Sequence, residues 1–486
     1  MSQYGFSYNY DSLYDVFNAV NRKGKMQKKY LSPEYLAVAQ EYRDMRKELN
    51  NILKKKKVER TEIESSRVDQ LRQLMKDNAL QQKALLKEHL NNVSSMILSS
   101  GFRFNITADA SDDPQKPLYT IGTTAEEFFA MQVLCRNVKK LFKISMASRH
   151  EILSQLKVLL KEDKSRYYII RTDVCHCFES IPHDKLFEHL EDNNMLDVKS
   201  KSLLHGLIRK EFETKNLRPR VKTPQTGIPR GCAISSLLSE FYLSKIDEVI
   251  KHTLPGIIFL GRYVDDIVLV IHPDIRSEYH KPLNWYIDKL EDIYAQMGLD
   301  IHKPSDGTGK CYSYDSENAV DLDFNLLGYN IHIDNENRDN LVFSLSQDKL
   351  ERITRRIDKS FSTFDKMIDI VGFDAAAHYL FDALHVLTCN INLYNAKKGV
   401  KVGVFYSNQL LDNQKNLSYL DGQLSRNIGR LNLSLKKSIS NANRIAIQEK
   451  LKRKLTLLSF KTGFNYPHKR YKVTKQRLRT IKSSWV

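Results

Sequence analysis

Two adjacent aspartates interrupt a stretch that otherwise has the composition of a buried β-hairpin. Asp265 and Asp266 stand in GRYVDDIVLV (residues 261–270), between strand-forming residues and an apolar run. Carboxylates in an apolar setting repel each other and lose hydration, so the pair needs a cation or a proton nearby. The stretch therefore limits the chain to folds that bury both strands and place the turn between them, with its carboxylates, at the edge of the sheet.

A third aspartate has a similar position. Asp173 follows the apolar run Tyr167–Ile170 by three residues and is expected at the end of a buried strand. Three acids delivered to one place by two strands offer hard oxygen ligands, which suit Mg²⁺. Paired divalent ions stabilise the attacking and leaving oxygens of an in-line phosphoryl displacement. The pattern predicts a metal-dependent phosphoryl transfer site.

The order of predicted elements indicates an α+β fold. Spaced apolar residues without glycine predict a helical hairpin from Ser32 to about Ser99, broken near 54–61, and Ala125–Leu160 is also helical in pattern. Short apolar runs alternate with helices between 167 and 333, and helical patterns return after 344. We expect an α-helical N-terminal extension (1–100), a central domain (101–345) and an α-helical, thumb-like C-terminal domain (346–486).

The net charge of +18 favours a polyanionic partner. Residues 450–486 hold twelve Lys and Arg and no Asp or Glu, with rings interleaved at Phe460, Phe464, Tyr466, Tyr471 and Trp485. Such a composition pairs phosphates with charge and bases with rings; a solvated tail is the alternative. The predicted nucleic-acid-binding residues are Lys452, Arg453, Lys469, Arg470, Lys472, Arg477 and Arg479.

The sequence predicts neither a membrane span nor a secretion signal. No window approaches 18 consecutive apolar residues, and the first residues lack a basic segment followed by an apolar one. The six scattered cysteines fit reduced thiols. The expected location is the cytoplasm, without a membrane partner.

Five segments resemble motifs A to E of reverse transcriptases, in that order. They are RTDVCHCFESIPHDKL (171–186), TGIPRGCAISSLLSEFYL (226–243), RYVDDIVLV (262–270), GLDIHKPSDGTGK (298–310) and LLGYNIHI (326–333). The resemblance covers roughly residues 125–345. It implies a right-hand polymerase fold with fingers and palm of the reverse-transcriptase type, and an RNA-directed DNA polymerase activity.

The resemblance assigns roles to individual residues. It makes Asp173, Asp265 and Asp266 catalytic, and these three with the carbonyl of Val174 the ligands of two Mg²⁺ ions, for which Mn²⁺ could substitute. Phe178 would collide with a sugar 2′-hydroxyl and so select deoxynucleotides. The remaining residues assigned to substrate are Gly227, Pro229, Arg230, Gly231, Ser235, Tyr263, Lys143, Arg149, Lys303 and Lys310.

Two of these assignments stay open. Lys303 and Lys310 compete for the leaving pyrophosphate. Arg230, where many reverse transcriptases have glutamine, contacts the template or pairs with a nearby acid. The implied partners are an RNA template, which could be a dedicated noncoding RNA, deoxynucleoside triphosphates and the DNA product; a second copy or a partner protein is left open.

Motif B, with Gly-x-Pro-x-Gly, Ser and then Glu-x-Tyr-Leu, resembles the bacterial branch associated with antiphage defence and abortive infection. That branch implies a bacterial cytoplasmic enzyme. A retron-like or intron-like enzyme and a nucleic-acid-binding scaffold with a vestigial site are the alternatives. Protein priming is a further hypothesis, for which Tyr4, Tyr8, Tyr10 and Tyr14 are candidates.

Overall fold

The computed structural model describes residues 7–55, 59–109, 118–121, 124–163, 165–191, 196–214, 225–274, 276, 280–318, 320–334, 340–393, 400–432 and 444–485. The chain divides into two compact units, and it passes between them more than once. The first unit comprises Met1–Met146, Val174–Thr253 and Asp288–Ile301. The second comprises Ala147–Asp173, Leu254–Ile287 and His302–Val486.

Helices dominate both ends of the described chain, and strands are concentrated between them. The helices are α1 (Tyr10–Arg22), α2 (Pro33–Leu53), α3 (Glu62–Leu98), α4 (Ala125–Leu141), α5 (Arg149–Glu162), α6 (Cys177–Ser180), α7 (His183–Glu191), α8 (Val198–Thr214), α9 (Ser235–Thr253), α10 (Leu283–Gln296), α11 (Gln347–Val371), α12 (Phe373–Thr388), α13 (Lys415–Arg430), α14 (Arg444–Leu455), α15 (Phe460–Asn465) and α16 (Lys475–Ser484). The strands are β1 (Ile106–Asp109), β2 (Leu118–Ile121), β3 (Tyr168–Asp173), β4 (Ile257–Tyr263), β5 (Asp266–Ile271), β6 (Tyr312–Asp315), β7 (Leu322–Leu326), β8 (Tyr329–Ile333), β9 (Leu341–Leu345), β10 (Asn390–Leu393), β11 (Val400–Gly403) and β12 (Arg470–Tyr471).

The N-terminal helical hairpin begins and breaks where the sequence predicts. The Ser32 side chain accepts a hydrogen bond from the amide of Tyr35 and caps α2, with Pro33 in its first turn. Thr61 and Glu64 form a reciprocal capping box that starts α3. These caps satisfy amides that would otherwise lack partners at the helix starts, so the break between the two helices is encoded locally.

A four-stranded antiparallel sheet lies in the second unit, in the order β4-β5-β3-β6. Its central strands are buried: Ile169 and Ile267 are both fully inaccessible. Helix α5 packs on one face through side chains such as Leu156. A Cβ at Gly261 on β4 would lie 2.8 Å from the Ile152 side chain, so only glycine allows this close packing. The buried, closely packed sheet therefore fixes the positions of the residues at its edge.

The C-terminal region is not purely helical. A sheet in the order β11-β10-β12 lies among its helices, whereas the antiparallel sheet β7-β8-β9 ends before α11, in the central region. Strand β12 comes from the basic segment and pairs in parallel with β10. This long-range pairing was missed because two residues carry too little strand pattern to be read from sequence.

The basic segment is folded, which corrects the alternative of a solvated tail. Phe460 is 2% exposed, and the indole of Trp485 donates a hydrogen bond of 2.9 Å to the Ser360 hydroxyl. These two rings are used in packing, and the stacking of bases on the other interleaved rings stays a prediction. Tyr466 is 54% exposed, with the Lys469 ammonium 4.8 Å from the centre of its ring.

The α+β fold class is confirmed, with helical N-terminal and C-terminal regions on either side of mixed structure. Among the helices of the described residues, none combines the length and the apolar character needed to cross a bilayer.

Candidate active site

The turn between β4 and β5 is strained and held by a buried arginine. Strand β4 ends at Tyr263 and β5 begins at Asp266, so the turn consists of two residues. Val264 has φ of 61°, a left-handed conformation that a β-branched residue rarely adopts and that costs about 1–3 kcal/mol. The guanidinium of Arg262, 7% exposed, donates a hydrogen bond of 3.1 Å to the Val264 carbonyl. The turn is thus fixed in one conformation.

The predicted acids come together at this turn. Asp173 at the end of β3 is directly opposite Asp266 in the antiparallel register. The pKa of Asp173 is raised, chiefly by burial and then by the negative charges of Asp265 and Asp266. Burial also raises the pKa of Asp266, against the opposing effect of Arg171. The three carboxyl groups lie within electrostatic reach of one another in a place that penalises their charge.

Two cations of the protein compensate this charge. The Arg171 guanidinium lies 2.7 Å from a carboxyl oxygen of Asp266, and the Lys310 ammonium lies 3.6 Å from Asp173. Of the two lysines that compete in motif D, Lys310 has a described ion pair with the acids, and its role in catalysis stays a prediction. Sequence reasoning missed Arg171. The period of a β-strand could have found it, because it lies two residues before Asp173 and shares its face.

The donor set fits a hard divalent cation. Its three carboxylates are oxygen ligands, and the raised pKa values of Asp173 and Asp266 reflect a charge that a bound cation would stabilise. Within the described ranges, no group of three or more His, Cys, Asp or Glu side chains is close enough to enclose an ion. The assignment of Asp173, Val174, Asp265 and Asp266 as metal ligands therefore stays a prediction.

Motif B is organised in the first unit around the backbone of Phe178. The amide of Ile228 donates to the Phe178 carbonyl at 2.8 Å, and the amide of Gly227 donates to Ile181 at 2.9 Å. The hydroxyl of Ser235 donates to the carbonyl of Pro229 at 2.5 Å. These bonds fix the loop that begins motif B relative to the segment that carries Phe178.

Gly231 must be glycine for two reasons. Its φ is +95°, and a Cβ there would lie 2.8 Å from the carbonyl oxygen of Tyr119 on β2. The amide of Tyr119 donates in turn to the carbonyl of Arg230 at 2.7 Å. The motif B loop is therefore packed backbone to backbone against β2.

Arg230 contacts the segment of Phe178 directly. Its guanidinium lies 3.5 Å from a carboxyl oxygen of Glu179 and 5.8 Å from the centre of the Phe178 ring. Of the two open alternatives, the described contacts show the ion pair with a nearby acid. A guanidinium over an aromatic face also restrains the ring.

A second group of cations surrounds Tyr329 of motif E. Arg149 and Lys349 lie over the Tyr329 ring, at 5.2 and 5.1 Å from its centre. Lys349 is 8% exposed and donates to the side chain of Asn408 at 2.5 Å. Two guanidinium nitrogens of Arg149 are buried without a hydrogen-bond partner in the described part of the chain. Nothing in the sequence pattern singles out Lys349; the other predicted phosphate ligand, Lys143, is exposed in the first unit.

Lys349 makes stability depend on pH. Burial, with the charges of Arg149 and Arg352, lowers its pKa from 10.5 to about 7. Between these values the unfolded chain binds a proton that the folded chain does not, so stability rises with pH from about 7 to 10.5. We expect Lys349→Met to remove this rise of stability with pH. The difference in the free energy of unfolding, variant minus wild type, should be highest at or below pH 7 and should fall as pH increases.

Urea denaturation at pH 7 and pH 9.5 measures this difference. Lys366→Met, an exposed position on the same helix, is the matched control. A constant offset between wild type and Lys349→Met at both pH values would show that the lysine is not destabilised by its burial.

The N-terminal tyrosines that are candidates for priming differ in solvent exposure. Tyr8 is 1% exposed, its hydroxyl is 2.8 Å from that of Ser200, and burial raises its pKa strongly. In this fold the Tyr8 hydroxyl is buried and is not accessible to a nucleotide, and protein priming stays a prediction. Tyr10 and Tyr14 stack on each other with ring centres 5.6 Å apart, and Tyr4 lies outside the described residues.

The predicted nucleic-acid contacts lie on several C-terminal elements. Lys452 and Arg453 belong to α14, and Arg470 belongs to β12. Arg477 pairs with the buried Asp382 at 3.2 Å. The remaining predicted contacts are Lys469 and Lys472, which flank β12, and Arg479 on α16. This surface is basic, and its binding role stays a prediction.

Residues 124–304 match the family model described as "Reverse transcriptase (RNA-dependent DNA polymerase)". The match contains the hairpin, Asp173 and the motif B loop, and ends within motif D. A fission yeast (Schizosaccharomyces pombe) protein described as "Uncharacterized 91 kDa protein in cob intron" is 31% identical over 99 residues, which cover 20% of this chain and 12% of that protein. A Saccharomyces cerevisiae "Putative COX1/OXI3 intron 2 protein" is 30% identical over 89 residues, 18% of this chain and 10% of that protein.

The chain thus spans about a tenth of the length of these curated relatives. Among solved structures, telomerase from Candida tropicalis with a fragment of telomeric RNA aligns over 92% of this chain and 86% of its own, at 12% identity and a TM-score of 0.31. That score is too low to support an argument. The match to the family model and the α+β palm confirm the predicted fold class. Residues 124–304 are a reverse transcriptase domain.

Proposed function

We propose that the protein is an RNA-directed DNA polymerase that adds deoxynucleotides to a 3′-hydroxyl. One observation carries the proposal: within a reverse transcriptase domain, Asp173 and Asp266 are paired in register beside Asp265 at a fixed turn. A vestigial site would be expected to lose one of these acids. Bound Mg²⁺, or Mn²⁺ in its place, would supply charge stabilisation for the attacking and leaving oxygens.

The side chains around the acids have distinct tasks in this proposal. Asp173, Asp265, Asp266 and the Val174 carbonyl would hold the cations, and Arg171 orients Asp266 through their 2.7 Å contact. Lys310 neutralises or protonates the leaving pyrophosphate. Phe178 excludes the ribose 2′-hydroxyl, while Tyr263 and the motif B loop support the nucleotide and template.

We place this activity in bacterial antiphage defence, in the cytoplasm, with a dedicated noncoding RNA as template. The motif B pattern supports this setting. An intron-type enzyme is the second candidate, and it is favoured by the two yeast relatives whose names refer to introns. Sequencing the product separates them, because a repetitive or short DNA copied from one RNA indicates defence and a copy of intron sequence indicates the alternative.

The direct test uses purified full-length protein with Mg²⁺ and either deoxynucleotides or ribonucleotides, with and without its co-purifying RNA. We expect product from deoxynucleotides that depends on RNA. DNA synthesis that survives complete removal of RNA would contradict the RNA-directed part of the proposal. Product only from ribonucleotides would contradict the assignment as a DNA polymerase.

Lys310→Ala is expected to lower the rate of nucleotide addition by about 100-fold, because a positioned acid contributes at least that much to proton transfer. Lys303→Ala is the matched control, since it removes the other motif D lysine that competes for this role. Single-turnover kinetics of one nucleotide addition measures both. Equal losses in the two variants would show that Lys310 has no special part.

A further inference from the structure

The C-terminal domain contains a cavity that the polymerase reaction does not use. Its volume is about 970 Å³, and it lies in the second unit between α12, α14 and the segment of α15 and β12. The floor is a stripe of α12 with side chains four residues apart: Phe373, Ala377, Phe381 and His385. Cavities of this size hold ligands as large as one or two nucleotides.

One wall of the cavity is aromatic. The rings of Phe381 and His385 lie 4.2 Å apart, and His385 stacks on Tyr471 at 4.0 Å with an interplanar angle of 24°. Burial lowers the pKa of His385, so its ring is neutral at physiological pH. The Phe381 ring is tilted by 56° from the His385 ring, so the three rings form an angled aromatic surface. A face of an aromatic ring accepts any nucleobase.

Four cations also line the cavity. Lys450 and Lys454 line it from α14, and Lys469 and Arg470 line it from the start of β12. Among the described lining residues, Asp374 is the only acid. Aromatic rings and four cations that line one cavity complement a ligand with an aromatic ring at one end and phosphates at the other.

We propose that this cavity binds an unpaired nucleotide of a single-stranded RNA, with its base on the Phe381–His385–Tyr471 rings and its flanking phosphates at Lys450, Lys454 and Lys469. The proposal rests on the proposed function only in taking RNA as a partner. The site would anchor the RNA at a fixed point of the C-terminal domain, whatever sequence the polymerase copies.

The first experiment fills the cavity in the full-length protein. Ala377→Trp occupies the floor of α12, whereas Ala375→Trp places the same side chain at an exposed position on that helix. The probe is a uridine 20-mer that carries one 5-iodouridine, cross-linked by light and mapped by mass spectrometry. We expect cross-links at His385, Tyr466 or Tyr471 in wild type and Ala375→Trp, and a loss of about tenfold in affinity with Ala377→Trp.

The second experiment needs no change in the core. Lys450→Gln with Lys454→Gln removes two charges that line the cavity, and Lys366→Gln with Lys482→Gln removes two exposed charges of the same domain that lie outside both the cavity and the predicted nucleic-acid contacts. We expect the first pair to weaken binding of the uridine 20-mer about tenfold more than the second. Equal losses from the two pairs would mean a diffuse electrostatic surface and would overturn the proposal.

A third arm separates a strand from a free nucleotide. Uridine monophosphate at millimolar concentration should leave the cross-link of the 20-mer in place. Loss of that cross-link would assign the cavity to free nucleotides and would overturn the proposal that it binds a strand. Cross-links confined to other parts of the chain would also overturn it. Primer extension is measured separately, so that a failure of the polymerase proposal shows as missing DNA product with the cavity cross-link intact.

Discussion

We expect Asp265→Asn to lower the rate of DNA synthesis by at least about 1,000-fold while leaving the protein folded. The expected loss follows from removing one carboxylate ligand where cations stabilise the transition state by several kcal/mol. Stability should not fall, because the Asp265 charge raises the pKa of Asp173 and its removal relieves repulsion. Primer extension and thermal melting, measured on the same preparation, test the two halves of this prediction.

The matched control is Asp300→Asn, the same chemical change at an exposed position outside the acidic cluster. Wild type and Asp300→Asn should melt at a higher temperature when Mg²⁺ is added, since a ligand that binds the folded state stabilises it. Asp265→Asn should lose most of this increase. Full phage protection by Asp265→Asn would support the scaffold alternative over the enzyme.

The acidic cluster was predictable because its information is local. Each aspartate stands at the end of a short apolar run, and antiparallel pairing brings those ends together. The caps at Ser32 and Thr61 were local in the same sense, since each is read within four residues.

The partners of the acids were harder to predict. Lys310 and Asp173 are brought together by the fold across more than 130 residues, and two lysines fitted the pattern equally well. Lys349 belongs to an ordinary amphipathic helix, and its burial depends on Tyr329 and Asn408 from other elements. The folded structure of the basic segment was not predicted for the same reason, because its charges are visible in sequence and its buried contacts are not.

Phe178→Ala is expected to raise the incorporation of ribonucleotides relative to deoxynucleotides by about 100-fold, which corresponds to about 2.7 kcal/mol of lost discrimination. The ring selects by steric exclusion, and alanine leaves space for a 2′-hydroxyl. The backbone contact from Ile228 to the carbonyl at position 178 does not depend on the side chain, so the local chain path should persist. Single-nucleotide addition with matched ribo- and deoxynucleotides measures the ratio.

Two further variants separate exclusion by the ring from a general loss of packing. Phe178→Tyr keeps the ring and should discriminate nearly as well as wild type. Arg230→Met removes the guanidinium that lies over the ring and pairs with Glu179, so it should relax discrimination by less than Phe178→Ala does. If Phe178→Ala lowers deoxynucleotide addition without changing the ratio, the ring only packs and the specificity lies elsewhere. If the ribonucleotide to deoxynucleotide ratio rises in both Phe178→Ala and Arg230→Met but stays near the wild-type value in Phe178→Tyr, Arg230 holds the ring in place.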